Sequence, residues 1–403
     1  MVTFQKKRGM ALFAVVLVMM LLCTVCVQAQ QAPPEEISAQ AYVLLEAQSG
    51  TVLCSRNETQ TLPMASTTKI MTALLTLEHG GLDESFTVDA ESIQVEGSSM
   101  GLLAGDTVTL RDLCYGMLLA SGNDAANLAA VRVAGSVEAF ADLMNERAKQ
   151  IGMSSTHFVT PSGLHNEEHY STAYDMALLA KEALNNPEFA EICGCSKAKR
   201  SFGNPPYTRW MTNHNKLLTS YEGCIGVKTG FTKMAGRCLV SAAERNGVRL
   251  IAVTLNAPND WQDHTKLLDY GFSCVPSAPV TLPAVEGQTA SVVGGVKDTV
   301  TAVASSEPQL FLNEEEAAKV QMRILLRPFY YAPVRQGDVL GCVDYVLDGR
   351  VVASVDLTAA EDVEKQSGGA GSESLWGKLK YYVGVLLKAP EDASCFLMTE
   401  RIS

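Results

Sequence analysis

The sequence predicts an α/β domain over residues 30–275, followed by a small all-β domain over 276–365. Three observations predict it. Strand-like runs lie at both ends of the first 270 or so residues with helical patterns between them, which implies one sheet closed by the ends of its chain segment. An apolar run with almost no polar face follows the first strands, so one helix is buried inside the domain. After Pro276-Ser277-Ala278-Pro279 the pattern changes to short alternating runs separated by turn residues.

Taken in order, the chain opens with Lys6, Lys7 and Arg8 ahead of an uncharged run from Met10 to Val27. Val27-Gln28-Ala29 then offers a small-residue cleavage site, so residues 1–29 read as an export signal, with an uncleaved anchor as the alternative. Ala41 to Leu53 reads as two strands turned at Ser49-Gly50. Pro63 and Ser66 favour a helix start, and Ile70, Met71, Ala73, Leu74, Leu75 and Leu77 continue it as a buried helix. Asp83 to Leu110 is short-patterned and glycine-punctuated, giving small strands and loops. Helices are expected over Leu110 to Leu119, Asp124 to Val133, Val137 to Ile151 and Ser171 to Leu184. Ser121-Gly122-Asn123 breaks the first from the second, and Thr160 to Tyr170 is a loop rich in turn residues. Cys224 to Gly230, Cys238 to Ala243 and Leu250 to Leu255 read as strands, with a turn at Asn246-Gly247 and a last helix over Asp260 to Tyr270.

In the second domain, Ala290 to Val293, Gln321 to Leu326, Asp338 to Val346 and Val351 to Leu357 read as strands, with a hairpin at Asp348-Gly349. Residues 366–374 form a glycine/serine linker. Over 375–390, Leu375, Trp376, Leu379, Tyr382, Val383, Leu386 and Leu387 share one helical face while Lys378, Lys380 and Lys388 lie off it. A basic amphipathic helix on a tether is expected to bind the outer face of the cytoplasmic membrane, against the alternative of docking on the β domain.

The bulk numbers narrow the function. A hydrophobic fraction of 47% over 403 residues supports real cores, and a net charge of -12 argues against nucleic-acid binding. Eleven cysteines, two of them in the leader, leave nine. That odd number cannot pair fully and shows no disulfide framework, so buried free thiols are expected.

The chemistry begins with Ser66 and Lys69, neighbours about 5–6 Å apart at Cβ on one helical face. Burial penalises an ammonium, so Lys69 is placed to lose its proton and act as base to Ser66. S-x-x-K alone is weak, because Ser196-Lys197-Ala198-Lys199 repeats it in a segment that reads as a solvated basic turn. Ser66 is singled out by its company. Ser121-Gly122-Asn123 supplies a hydroxyl and an amide in a tight turn, and Lys228-Thr229-Gly230 supplies an ammonium, a hydroxyl and a bare backbone at a strand end.

The three motifs together resemble the penicillin-binding serine acyltransferases. The stretches SGNDAANLAAVRVAGS, HFVTPSGLHNEEHYSTAYDMALLA and GVKTGFTKMAGRCLVSAAERNG are similar to the low-molecular-weight D-alanyl-D-alanine carboxypeptidases in particular. The resemblance implies a β-lactamase/transpeptidase-like domain, an antiparallel sheet flanked by helices, followed by a β-sandwich-like domain. It also implies the roles. Ser66 attacks the penultimate D-Ala carbonyl, Lys69 takes its proton, and Ser121 relays a proton to the leaving D-Ala. Asn123 holds Lys69 and the substrate amide, Lys228 adds positive charge that keeps Lys69 neutral, Thr229 binds the terminal carboxylate, and Gly230 lets a peptide lie along the strand. The backbone N–H groups of Ser66 and Phe231 form the oxyanion hole. The substrate is a peptidoglycan pentapeptide stem, β-lactams acylate the same serine, and no cofactor or metal is implied. A DD-endopeptidase, a β-lactamase and a non-enzymatic β-lactam sensor are the alternatives.

Two further strings invite other readings. His165-Asn166-Glu167-Glu168-His169 fits H-x-x-E-H, yet a zinc site of that kind needs both histidines on a helix and this segment reads as a loop. Some carboxypeptidases of the family carry an arginine shortly before the final helix for the substrate carboxylate. Here that region is Asn259-Asp260-Trp261-Gln262, leaving Arg237 or Thr229 for the task.

Overall fold

The computed structural model describes residues 32–276, 278–282 and 285–366. The expected export signal, the linker beyond Gln366 and the amphipathic helix lie outside the described residues. Two compact units are present. One holds the described residues up to Leu44, Leu53–Ala243 and Leu250–Cys274; the other holds Leu45–Val52, Glu244–Arg249 and the described residues from Val275 on.

The chain begins with strands β1 (Ala41–Glu46) and β2 (Val52–Arg56), then a 3₁₀ turn (Ala65–Thr68) that runs into helix α1 (Lys69–Glu78). Two-residue strands β3 (Phe86–Thr87) and β4 (Thr107–Val108) precede α2 (Leu110–Leu118), α3 (Asn123–Ala134), α4 (Val137–Ile151), α5 (Ala173–Asn185) and α6 (Pro187–Gly194). A hairpin of β5 (Lys197–Gly203) and β6 (Pro206–Thr212) and the short α7 (Leu217–Ser220) lead to β7 (Cys224–Thr232), β8 (Gly236–Arg245), β9 (Val248–Leu255) and α8 (Asp260–Cys274). The principal sheet is five-stranded in the order β2-β1-β9-β8-β7, so the early and late strands meet as expected and β7 is an edge. β1 is buried throughout, β9 at all but Arg249, and β8 over Cys238–Ala243; the mainly apolar sequence of these stretches reflects cover on both faces.

Helix α1 is the buried one: Ile70, Met71, Ala73, Leu74 and Leu77 are in the core. Its buried threonines are satisfied locally, Thr76 Oγ1 donating to the Thr72 carbonyl (2.7 Å) and Thr72 Oγ1 to the Pro161 carbonyl (2.6 Å). The α-helix starts three residues later than the sequence predicts, because Ser66 lies on the 3₁₀ turn. The facing of Ser66 and Lys69 survives, since residues three apart eclipse on a 3₁₀ turn. Helix α2 starts at a capping box, Thr109 accepting from the Asp112 N–H while Asp112 accepts from the Thr109 N–H. Such a cap is worth about 1 kcal/mol.

One reading is corrected here. Ser196-Lys197-Ala198-Lys199 is not a turn: Lys197 onward is a strand paired with β6 from Lys197↔Thr212 to Gly203↔Pro206. The Gly-x-Pro-Pro punctuation that suggested a turn belongs to the far end of the hairpin, at Gly203 to Pro206. The thiols are only partly as expected: Cys54, Cys114, Cys193 and Cys238 are buried and free, but Cys195, Cys224, Cys274 and Cys342 are partly exposed.

The second unit continues with β10 (Val280–Thr281), β11 (Gln288–Val293), β12 (Thr299–Ala304), β13 (Gln309–Leu310), the short helix α9 (Glu314–Lys319), β14 (Gln321–Leu326), β15 (Tyr330–Tyr331), β16 (Val339–Leu347) and β17 (Arg350–Ala359). A six-stranded sheet in the order β14-β16-β17-β12-β11-β15 is accompanied by the β10–β13 ribbon. Val343, Tyr345, Leu357 and Val363 form part of its core. Asp348 and Gly349 both have positive φ (48° and 79°), the turn whose twist matches a two-residue hairpin between β16 and β17.

Candidate active site

The structure brings all three motifs into one place. Ser66 stands on the 3₁₀ turn at the head of α1, Ser121 and Asn123 at the α2–α3 junction, and Lys228, Thr229 and Gly230 on the edge strand β7. Ser66, Ser121, Thr229, Gly230, Phe231 and Arg237 line a cleft of about 700 Å³, while Asn123 and Lys228 are buried and not among its lining residues. The residue before Ser66, Ala65, and Ser121 itself both have positive φ (50° and 58°). For residues with a Cβ this costs roughly 1–2 kcal/mol each, and such strain gathers where side chains are aimed rather than merely packed.

Lys69 is fully buried and its Nζ has three partners: Ser66 Oγ at 3.0 Å, Asn123 Oδ1 at 2.7 Å and the Ser162 carbonyl at 2.6 Å. Burial lowers its pKa well below that of a free lysine; Lys228 lowers it further and Asp124 acts against both. A neutral amine keeps two N–H groups and one lone pair. Asn123 Oδ1 and the Ser162 carbonyl can only accept, so they take the two N–H groups and turn the lone pair toward Ser66 Oγ. The geometry therefore makes Lys69 a proton acceptor aimed at one hydroxyl.

Lys228 is 1% exposed and donates to Ser121 Oγ at 3.0 Å and to the Thr229 carbonyl at 2.8 Å. Burial pulls its pKa down to about 7. Gly230 is glycine for a steric reason: a Cβ there would stand 3.0 Å from the Met64 carbonyl and 3.1 Å from the backbone nitrogens of Ser66 and Thr67. The strand therefore closes on the turn that carries Ser66 only without a side chain.

Sequence reasoning missed the loop behind Ser66. Besides the Ser162 carbonyl, it supplies Gly163, whose absent Cβ would fall 2.0 Å from the Ala65 carbonyl oxygen. It also supplies His169, which is buried. The Val159 N–H donates to His169 Nδ1 (2.9 Å), so the ring proton sits on Nε2 and is donated to Thr68 Oγ1 (2.8 Å). Thr68 Oγ1 in turn donates to the Ala65 carbonyl (2.9 Å). Both ring nitrogens are thus engaged in holding the turn beneath Ser66, and burial keeps the ring neutral, with a pKa lowered to about 4. His165 is exposed on the same loop. The available signal was the density of turn residues from Thr160 to Tyr170; a backbone carbonyl has no sequence signature at all.

Asp124 was also missed. Its carboxylate accepts from Ser99 Oγ (2.6 Å) and from the N–H groups of Met100, Gly101 and Leu102 (2.9, 3.0 and 3.1 Å), pinning the 99–102 loop. Just upstream, Asn123 donates to the Glu96 carbonyl (2.6 Å), leaving its Oδ1 for Lys69. At the other end of the cleft, Arg237 stands opposite Phe231 in the β7–β8 register, on the sheet face that carries Thr229. Its Nη2 pairs with Asp260 (3.0 Å), its guanidinium lies over Trp261 (5.7 Å), and its buried Nε has no hydrogen-bond partner among the described residues.

Both units of the chain have known relatives. Residues 27–259 match the Peptidase S11 family, described as D-alanyl-D-alanine carboxypeptidase, and residues 283–365 match the penicillin-binding protein 5 C-terminal domain. The chain is 34% identical to D-alanyl-D-alanine carboxypeptidase DacF of Bacillus subtilis, covering 81% of this chain and 86% of that one. It is 33% identical to DacC of Escherichia coli, covering 84% and 87%. Among solved structures, penicillin-binding protein 5 of Haemophilus influenzae superposes with a TM-score of 0.61 at 31% identity, over 83% of this chain and all of that one. A mutant of the Streptomyces K15 DD-transpeptidase does so at 0.57 and 32%, over 60% of this chain and all of that one. With its motifs assembled in one cleft and a family match over most of its first unit, the chain belongs to the Peptidase S11 family of D-alanyl-D-alanine carboxypeptidases.

Proposed function

We propose that this carboxypeptidase removes the terminal D-alanine from peptidoglycan stem peptides through an acyl-enzyme on Ser66. The observation that carries the reading is the three-way coordination of Lys69, which leaves its lone pair directed at Ser66 Oγ. Ser66 Oγ attacks the carbonyl carbon of the penultimate D-Ala while Lys69 takes the hydroxyl proton. The negative charge that develops on the carbonyl oxygen is held by the backbone N–H groups of Ser66 and Phe231, a contribution of about 2.7–4 kcal/mol per donor in comparable sites. As the C–N bond breaks, the proton taken by Lys69 is relayed through Ser121, whose Oγ accepts from Lys228, to the departing D-Ala amine, which returns Lys69 to its neutral form. Water then attacks the acyl carbon while the neutral Lys69 takes its proton, and Lys69 returns that proton to Ser66 Oγ as the ester bond breaks, freeing the shortened peptide and Ser66. Asn123 serves both Lys69 and the substrate amide. Because β7 is an edge strand, a stem peptide can add to it as a further strand, and the bare Gly230 lets that strand close on the turn that carries Ser66.

The terminal carboxylate goes to Thr229 together with Arg237, which stands on the same sheet face and is steadied by Asp260 and Trp261. β-Lactams, which mimic the D-Ala-D-Ala terminus, acylate Ser66 and leave slowly. Residues 1–29 act as the export signal and residues 375–390 as a membrane-surface anchor; what supports both is the charge and apolar pattern of the sequence. No helix among the described residues is long and apolar enough to cross a membrane. The test is Ser66→Ala, expected to abolish both D-Ala release and covalent labelling by a fluorescent penicillin. Labelling that persists in that variant overturns the assignment. Penicillin turnover faster than D-Ala release would mark a β-lactamase, and labelling of the unaltered protein without D-Ala release would mark a sensor.

A further inference from the structure

The β5–β6 hairpin has two unlike faces. One packs onto the domain: Phe202 and Met211 are buried, Arg200 pairs with Asp112 (2.7 Å), and Arg209 donates to the Met100 carbonyl (2.9 Å). The other face consists of the cross-strand pairs Lys197↔Thr212, Lys199↔Trp210 and Ser201↔Thr208, all exposed to solvent. Trp210 is 62% exposed, with Lys197 Nζ 4.7 Å from its ring centroid, and an indole so placed adds nothing to the core. The two lysines have no carboxylate partner among the described residues, in a chain whose net charge is -12.

We propose that this face binds the glycan strand to which the stem peptide is attached, extending the substrate site from peptide to polymer. The inference rests on the carboxypeptidase reading of the cleft. Continuity is the first argument. Ser196 and Thr212, at the base of the hairpin, are part of the cleft wall, and Trp210 lies two strand residues beyond Thr212, about 7 Å further on. Four extended stem residues between the attacked carbonyl and the sugar span roughly 13 Å, a reach long enough to carry the sugar out of the cleft along the hairpin. Chemistry is the second argument. A pyranose ring presents a C–H face that stacks on an indole, its hydroxyls suit Ser201, Thr208 and Thr212, and the carboxylates of neighbouring stems on the same strand suit Lys197 and Lys199.

The test compares two substrates on the full chain: purified pentapeptide-rich sacculi stripped of teichoic acid, and a soluble N-acyl tripeptide ending in D-Ala-D-Ala, too short to reach the hairpin. Trp210→Ala is expected to lower D-Ala release from sacculi by about five- to tenfold with the tripeptide rate unchanged, and Trp210→Tyr to restore most of it. Lys197→Glu with Lys199→Glu should lower retention on sacculi, most strongly at low salt. Equal losses on both substrates, or no loss on either, overturn the proposal. So does retention that appears only when teichoic acid is left on the wall. Failure of the unaltered protein on the tripeptide would instead refute the carboxypeptidase reading itself, so the two failures are distinguishable.

Discussion

Replacing Gly230 with alanine probes how closely β7 must approach the turn that carries Ser66. The added Cβ would lie 3.0 Å from the Met64 carbonyl oxygen and 3.1 Å from the nitrogens of Ser66 and Thr67. Unstrained contacts of carbon with such atoms are about 3.5 Å, so strand and turn must part by roughly 0.4 Å. Oxyanion donors work at about 2.7–3.1 Å from the developing charge, and loss of one costs about 10²–10³ in rate. A donor set stretched by 0.4 Å is weakened rather than deleted, which places the expected loss near the lower bound, about 10²-fold. Stability should change by less than about 1 kcal/mol, because alanine at an extended position also restricts the unfolded chain. Stopped-flow acylation by a fluorescent penicillin reads the rate, and urea denaturation reads the stability. Acylation within threefold of the unaltered protein would refute the placement of the oxyanion hole at the Ser66 N–H.

Lys228, with a folded pKa of about 7 against 10.5 when exposed, binds fewer protons folded than unfolded between those values, so its contribution makes stability rise with pH over that window. At about 1.4 kcal/mol per pH unit this gives roughly 2–3 kcal/mol from pH 7 to 9. Above pH 9 the buried thiols oppose it: Cys238, raised to about 12, stays protonated in the fold while its unfolded counterpart ionises. Lys228→Met should therefore flatten the rise between pH 7 and 9 in urea midpoints, and an undiminished rise would contradict the burial of its charge. His169→Ala removes a buried ring bonded to Thr68 and Val159, with an expected stability loss of about 2–4 kcal/mol. It should also slow penicillin acylation, because the turn under Ser66 loses its support; denaturation and labelling kinetics together check this. Arg237→Ala should reduce kcat/KM for a D-Ala-D-Ala peptide acid by about 10–100-fold, the worth of a hydrogen bond to a charged group. The same substitution should leave the slow reaction of the terminal amide unchanged, and an equal loss on acid and amide would remove Arg237 from carboxylate recognition.

The parts of the fold that were legible in the sequence are those with a strong period or a punctuating residue. The apolar run after Lys69 announced a buried helix, Asn246-Gly247 and Asp348-Gly349 announced hairpins, and the strands at both ends of the first domain announced the sheet that joins them. The β5–β6 hairpin was illegible because its solvent face, Trp210 apart, is built of lysine, serine and threonine, which in sequence look like a loop. The site was legible in its side chains and not in its backbone. Ser66, Lys69, Ser121, Asn123 and the Lys228-Thr229-Gly230 triplet were all found by residue type and spacing. What directs them was not: the Ser162 carbonyl that orients Lys69 and the His169–Thr68 bond depend on approach between segments about 100 residues apart, and the left-handed Ala65 and Ser121 are residue types that carry no signal for a positive φ. His169 shows the hazard most plainly, since its motif resembled a metal site while its ring is spent on a buttress.

The central claim is that Ser66 is the acylated nucleophile. Exposing the full chain to penicillin and measuring the intact mass, then mapping the modified peptide by tandem mass spectrometry, tests it most directly. One penicilloyl adduct per chain, located on Ser66 and absent from Ser66→Ala, is the predicted result. An adduct on Ser121 or Ser196, or none at all, would contradict the account.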